Sequence, residues 1–147
     1  MSEIRDTYWT THVGDSDEAS AIVAYLAQQG GDIVEIHKVF ADLGLDELSG
    51  NYTDTEVDGF GDAFLVVVSL AVLMAENKAH GAVDLGDFGG VAQTIRLHVE
   101  SKENTQINTA LKYFALSPED HTVAERFDED ELTELADLLE QLRGQLD

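Results

Sequence analysis

The run AFLVVVSLAVLMA, residues 63–75, carries no charge and a single hydroxyl. From Phe64 to Met74 it is apolar on every side, so it has no face to present to water. Such a segment belongs at the centre of a fold, with other elements packed around it. A central helix is the expectation, although the β-branched cluster FLVVVSL also suits a buried strand and periodicity alone leaves the choice for residues 64–70 open. The uncharged run is shorter than the roughly 20 residues a membrane-spanning helix needs, and no membrane association is expected.

A chain of 147 residues with a 44% hydrophobic fraction can bury a sizeable core. It is read as one globular domain, residues 1–147. Its dominant property is charge: eight basic residues against thirty acidic ones, a formal net charge of -22. Residues 1–77 carry fifteen acids against Arg5 and Lys38, and residues 78–147 carry fifteen against six bases. The acidity therefore covers the whole chain and is not an appended tail. Two causes remain: a basic partner surface, or life in concentrated salt, where the Debye length shrinks to about 3 Å at 1 M. Scarce lysine, four in all, fits the second. There is no cysteine, which excludes disulfides, thiol catalysis and cysteine-based zinc sites. The N-terminal stretch shows no secretory signal pattern, and a cytoplasmic location is expected.

Patterning along the chain predicts a helix-rich α+β fold with a small, about three-stranded sheet, in the order β-α-α-α-β-α-β-α. TYWTTHV (7–13) reads as a strand. A helix follows with Ala19, Ile22, Val23 and Leu26 on one face, stopped by Gly30 and Gly31. DIVEIHKVFADLG reads as a second, with Asp32 as N-cap, Glu35 in its first turn, Ile33, Ile36, Phe40 and Leu43 on one face, and Gly44 closing it. Thr53 and Glu56 form a capping-box pattern for a long third helix reaching about residue 79. HGAVDLGDFGG reads as a loop. TIRLHVE (94–100) alternates cleanly as a strand, NTQINTALKYFAL is helical, and HTVAERF suggests a short third strand. Asp128 caps a last helix whose Leu132, Leu135, Leu138, Leu139 and Leu142 form one stripe.

Recognised chemistry is sparse. In DTEVDGFGDAFL (54–65), Asp54, Glu56, Asp58, Gly59 and Asp62 fall at the EF-hand positions 1, 3, 5, 6 and 9. Leu65 stands where the bidentate glutamate belongs, however, and an acidic, capped helix entrance is the better reading. The helical pair over residues 16–43 resembles the opening of a helix-turn-helix. Between Lys38 and Lys78 there is no cation and there are eight acids, so a duplex would repel it and direct nucleic-acid binding is not expected. Asp87-Phe88-Gly89 matches a kinase triplet without the kinase's other parts, and no phosphate loop or serine elbow occurs. The five histidines form no metal-binding pair, and thirty carboxylates make acid pairs for glycoside hydrolysis uninformative. Tyr8 and Trp9 suit either a core strand or a binding platform. No catalytic residue, metal ligand or cofactor is assigned.

The leading expectation is a non-enzymatic acidic protein that engages a basic partner surface. It would act as an inhibitor, an immunity protein or a nucleic-acid mimic, against a nuclease, a DNA-binding protein or a defence protein. The carboxylates expected to meet that partner are Asp54, Glu56, Asp58 and Asp62 in the first group. The second group is Glu119, Asp120, Glu125, Asp128, Glu129, Asp130, Glu131 and Glu134. The alternative is a regulatory or structural domain from a salt-adapted organism, and a third is a carboxylate-based metal-binding protein or small enzyme.

Overall fold

The computed structural model describes residues 6–9, 16–29, 32–45, 56–57, 60–90, 92–116, 124–125 and 127–146. In chain order the elements are α1 (Asp17–Ala27), β1 (Ile33–Glu35), α2 (Ile36–Leu43), β2 (Glu56–Val57), β3 (Gly61–Asp62) and α3 (Ala63–His80). They continue with β4 (Val83–Asp84), β5 (Thr94–His98), α4 (Ser101–Leu116) and α5 (Glu129–Leu146). A 3-10 turn, Leu85–Phe88, separates β4 from β5. The fold is the helix-rich α+β one, with a mixed three-stranded sheet ordered β1-β5-β4 and a separate two-stranded β2-β3 hairpin.

The open question over residues 64–70 resolves as helix. Every residue of α3 from Ala63 to Glu76 is buried, because α1, α4, α5 and the strands all pack around it. By length and composition α3 could cross a membrane, but 78% of it lies inside the protein. Its one hydroxyl, Ser69, donates to the Leu65 carbonyl one turn back at 2.8 Å, so no polar group in the buried run goes unanswered. Phe64 stacks on Phe114 of α4 with ring centroids 4.6 Å apart.

Polar side chains seal both ends of α3. At its start Asp62 Oδ1 accepts from the amides of Phe64 (2.8 Å) and Leu65 (3.3 Å), answering two orphan donors of the first turn. The Asp62 amide in turn donates to Glu18 Oε2 at 2.8 Å. Glu18 is only 1% exposed, and it reaches this amide because Gly61 has no side chain. A Cβ on Gly61 would lie 2.5 Å from Glu18 Oε2, and the residue sits at φ +122°, a conformation glycine alone adopts freely. At the other end the Asn77 amide bonds both backbone groups of Leu97 at 2.9 Å, donating to its carbonyl and accepting from its N–H. Strand β4 is only two residues long and pairs with Thr94 and Ile95. Asn77 therefore supplies the ladder bonds of β5 beyond the end of β4.

Several segments differ from the sequence reading. Residues 6–9 form a helical turn rather than a strand, and residues 10–13 lie outside the described set. Trp9 packs edge-on against Phe88 at 5.1 Å, and the Tyr8 hydroxyl bonds Gln145 of α5; both rings are buried, which makes them core and not a platform. Ile33–Glu35 form a strand, and α2 starts only at Ile36. Parallel pairing with Arg96–His98, including an Arg96 amide to Asp32 carbonyl bond of 2.8 Å, outweighs the local helix signal. Asp32 therefore does not cap α2, and Ile33 points outward at 61% exposure. Glu56 is in β2, paired with Asp62 across a hairpin, so no capping box operates there. The loop over residues 80–90 contains β4 and the 3-10 turn. Ala124 and Glu125 form a 3-10 turn rather than a strand; Thr53, Gly30, Gly31, residues 121–123 and Arg126 are outside the described residues.

Other expectations hold. Ser16 caps α1 by accepting from the Ala19 amide at 3.1 Å, and Gly44 closes α2 at φ 74°. On β5, Ile95 and Leu97 are buried while Arg96 and His98 face outward. Asp128 opens α5 through a reciprocal capping box: its Oδ1 accepts from the Glu131 amide at 2.8 Å, and Glu131 Oε1 accepts from the Asp128 amide at 3.2 Å. Leu135, Leu139 and Leu142 are buried.

Replacing Asn77 with alanine strands the Leu97 N–H and carbonyl, and urea unfolding is expected to show a loss of about 2 kcal/mol. Gly61→Ala forces both an unfavourable backbone and a collision with Glu18; it is expected to cost about 2 kcal/mol or more. Adding Glu18→Ala relieves the collision but leaves the backbone strain and strands the Asp62 amide, so the thermal midpoint is not expected to return to the wild-type value.

Candidate functional site

Among the described residues, helix α5 gathers the largest set of exposed carboxylates. Its buried side, Leu135, Ala136, Leu139, Leu142 and Leu146, packs on α3 and α4. The opposite side presents Glu129, Asp130, Glu134 and Asp137, all exposed, with Asp130, Glu134 and Asp137 on one stripe at spacings of four and three. From Asp128 to Glu140 there are seven carboxylates and no base. The one cation of the helix, Arg143, is held inward: Nε donates to Asn108 Oδ1 at 2.9 Å, and an Nη donates to Glu140 at 2.6 Å. Three acids in the first turn also lie where the helix dipole favours negative charge.

The sequence-predicted residues separate accordingly. Glu125 is exposed just ahead of α5, and Glu129, Asp130 and Glu134 lie on the outer side of its first turns. Asp128 and Glu131 are also exposed, but each has a structural task in the capping box. Asp62 is half-buried and holds the α3 entrance. Glu56 lies in β2, and Asp54, Asp58, Glu119 and Asp120 fall outside the described residues. Where the EF-hand count needed a ligand, Leu65 is buried against the core. Among the described residues no group of three or more His, Asp or Glu side chains is placed to hold a metal ion.

Sequence reasoning missed two features of this surface. Asp137 and Glu140 extend the acidic stripe, and their spacing from Asp130 and Glu134 was available to show it. Helix α4 is the converse case. In sixteen residues it has one acid, Glu103, which is buried. Its solvent side carries Lys102, Thr105, Lys112, Tyr113 and Leu116. The two helices run antiparallel, tied by Asn104 to the Leu146 carbonyl (3.3 Å) and Asn108 to the Arg143 carbonyl (3.5 Å).

Two further places hold polar groups. A cleft of about 480 Å³ opens between the end of α3, the β5–α4 turn and the end of α5, with Asn77, Lys78, His98 and Asn104 among its lining residues. Both asparagines are committed to backbone partners, so they serve the fold. Around Glu35, Lys38 Nζ lies at 3.4 Å, His98 Nδ1 at 3.9 Å and His37 Nε2 at 4.0 Å. All four side chains are substantially exposed, and such surface pairs contribute little.

Two tyrosines have raised pKa values. Burial pushes Tyr8 up, partly offset by its bond with Gln145. Tyr25 of α1 is pushed up to about 12 from the ordinary 10.0, first by burial and then by donating to Asp42 of α2 at 2.7 Å. The neutral phenol is the favoured form in the fold. Its contribution is therefore complete below pH 10 and is lost as pH rises through about 12. Urea unfolding of the wild type and Tyr25→Phe is expected to differ below pH 10, with the gap closing towards pH 12.

No curated protein and no solved structure matches the chain. The family model described as Immunity protein 68 matches residues 3–146. A match that covers nearly the whole chain makes it a member of the Immunity protein 68 family.

Proposed function

We propose that this chain binds a toxin protein and blocks it as a stoichiometric, non-enzymatic inhibitor, with its acidic surface set against a basic surface on the toxin. Family membership supports an immunity role. The observation that carries the electrostatic part is the α5 stripe, where seven carboxylates stand within thirteen residues and Arg143, the one cation within the helix, is turned to Glu140 and Asn108. A surface of this kind raises the rate of encounter with a cationic partner. It also repels acidic bystanders, which gives selectivity at no cost in contact area. A toxin that acts on nucleic acid has a basic groove, and carboxylates there would stand where phosphates bind. On this reading the acidity serves a partner, and the chain folds cooperatively in dilute buffer. Glu125, Glu129, Asp130 and Glu134 are the sequence-predicted carboxylates assigned to the contact, joined by Asp137.

The test uses, as the candidate toxin, the protein encoded by the gene beside that of this chain. Co-expression is expected to relieve growth arrest, and the purified proteins are expected to form a 1:1 complex. Neutralising three exposed acids outside the capping box, as Glu129→Gln, Asp130→Asn and Asp137→Asn together, should lower the association rate roughly tenfold in low salt. The deficit should shrink near physiological ionic strength, where the Debye length is about 8 Å. A complex whose formation ignores both salt and these substitutions would remove the acidic stripe from the mechanism.

A further inference from the structure

In a chain with thirty acids, the solvent side of α4 has none. It is also where large apolar groups reach water: Tyr113 is 58% and Leu116 67% exposed, and with Ile33 these are the exposed large hydrophobics of the described residues. Spaced by three, Tyr113 and Leu116 are neighbours on one helical face. A single exposed leucine is unremarkable. An aromatic and an aliphatic side chain adjoin here, on a helix face that carries Lys102 and Lys112 but no carboxylate. Tyrosine is among the residues that carry binding energy at interface centres.

We propose that Tyr113 and Leu116 form the anchor through which this chain docks the toxin, entering an apolar pocket on it while the α5 carboxylates meet basic groups at the rim. The inference rests on the toxin-binding reading above and gives that contact its centre. A second copy of the chain is the poorer occupant on charge grounds. A two-fold contact through α4 would enclose Lys102 and Lys112 of both copies between two identical faces, with no exposed carboxylate of α4 to answer them. It would also bring together two bodies of net charge -22. A foreign surface meets neither obstacle. Because α5 packs antiparallel beside α4, a toxin drawn in by α5 arrives next to the apolar pair. Steering and anchoring are thus divided between neighbouring helices: charge sets how fast the complex forms, and desolvated apolar contact sets how long it lasts.

The experiment measures binding kinetics of the full chain with the same candidate toxin. Tyr113→Ala and Leu116→Ala are exposed substitutions, and their unfolding midpoints should match the wild type. Each is expected to weaken binding by at least tenfold, and roughly thirtyfold where it is a full hot spot. The loss should appear in dissociation, with the salt dependence of affinity unchanged. Tyr113→Phe and Leu116→Met keep the apolar contact and should stay within a few-fold of wild type. If the double alanine variant binds as the wild type does while the neutralised α5 variant associates slowly, the anchor is wrong and the toxin-binding reading stands. If the wild-type chain binds no toxin, both fail. Sedimentation showing a wild-type dimer that the double alanine variant abolishes would assign the face to a second copy and overturn the proposal.

Discussion

An eighteen-residue helix buried from Ala63 to Glu76 must be enclosed from every direction, because no side of it can face water without exposing valine or leucine. The other elements are arranged by that requirement. Helices α1, α4 and α5 each lay an apolar stripe on α3, and the strands close the remaining sides. The backbone inside α3 satisfies itself, so polar accounting is confined to its ends. Asp62 and the buried Glu18 settle the first end. Asn77 settles the junction at the second by completing the β5 ladder. Two of the three side chains at these junctions are acids, so part of the acidity belongs to the fold itself.

The rest of the charge has a distribution, and that distribution is informative where the total is not. Acids at the start of α5 stabilise the helix through its dipole and capping box, while those further along, Glu134 and Asp137, have no such duty at a helix end. On the same pair of antiparallel helices, the outer side of α4 excludes carboxylates and exposes Tyr113 and Leu116. In the complex proposed above, long-range charge would set the rate of encounter and short-range apolar burial the lifetime, two properties with different physics. The acid-rich and acid-free surfaces lie on adjacent helices.

Legibility followed the range of the interactions. Elements whose signal is local were readable: Ser16 before α1, Gly44 after α2, the alternation of β5, and the Asp128 cap with the leucine stripe of α5. Residues 33–35 were not, because the pairing that makes them a strand comes from Arg96–His98, some sixty positions away. Asp32 and Glu35 look like a helix start to any local rule. Tyr8 and Trp9 carry β-favouring side chains, yet their positions come from Phe88 and Gln145, to which they dock as a helical turn. At the entrance to α3, Thr53 and Glu56 fit a capping box as well as Asp62 fits a single cap. Only the hairpin between Glu56 and Asp62 decides between them. For the site, the density of acids in α5 was visible, but so were many other acids, and abundance hid the gap on α4.

Taken alone, the sequence determined the central apolar element, the helix-rich α+β class, the acidity along the whole chain and the absence of cysteine chemistry. These follow from composition and short-range periodicity, which a linear reading contains. Tertiary structure decided that residues 63–80 are helix, that Glu18 is an internal partner of the Asp62 amide rather than a surface charge, and which strands meet. It also separated capping acids from acids that look outward, and set an acid-free face beside an acidic one. Each of these depends on groups far apart in the chain coming within hydrogen-bond or packing distance. That proximity exists only once α3 has been enclosed.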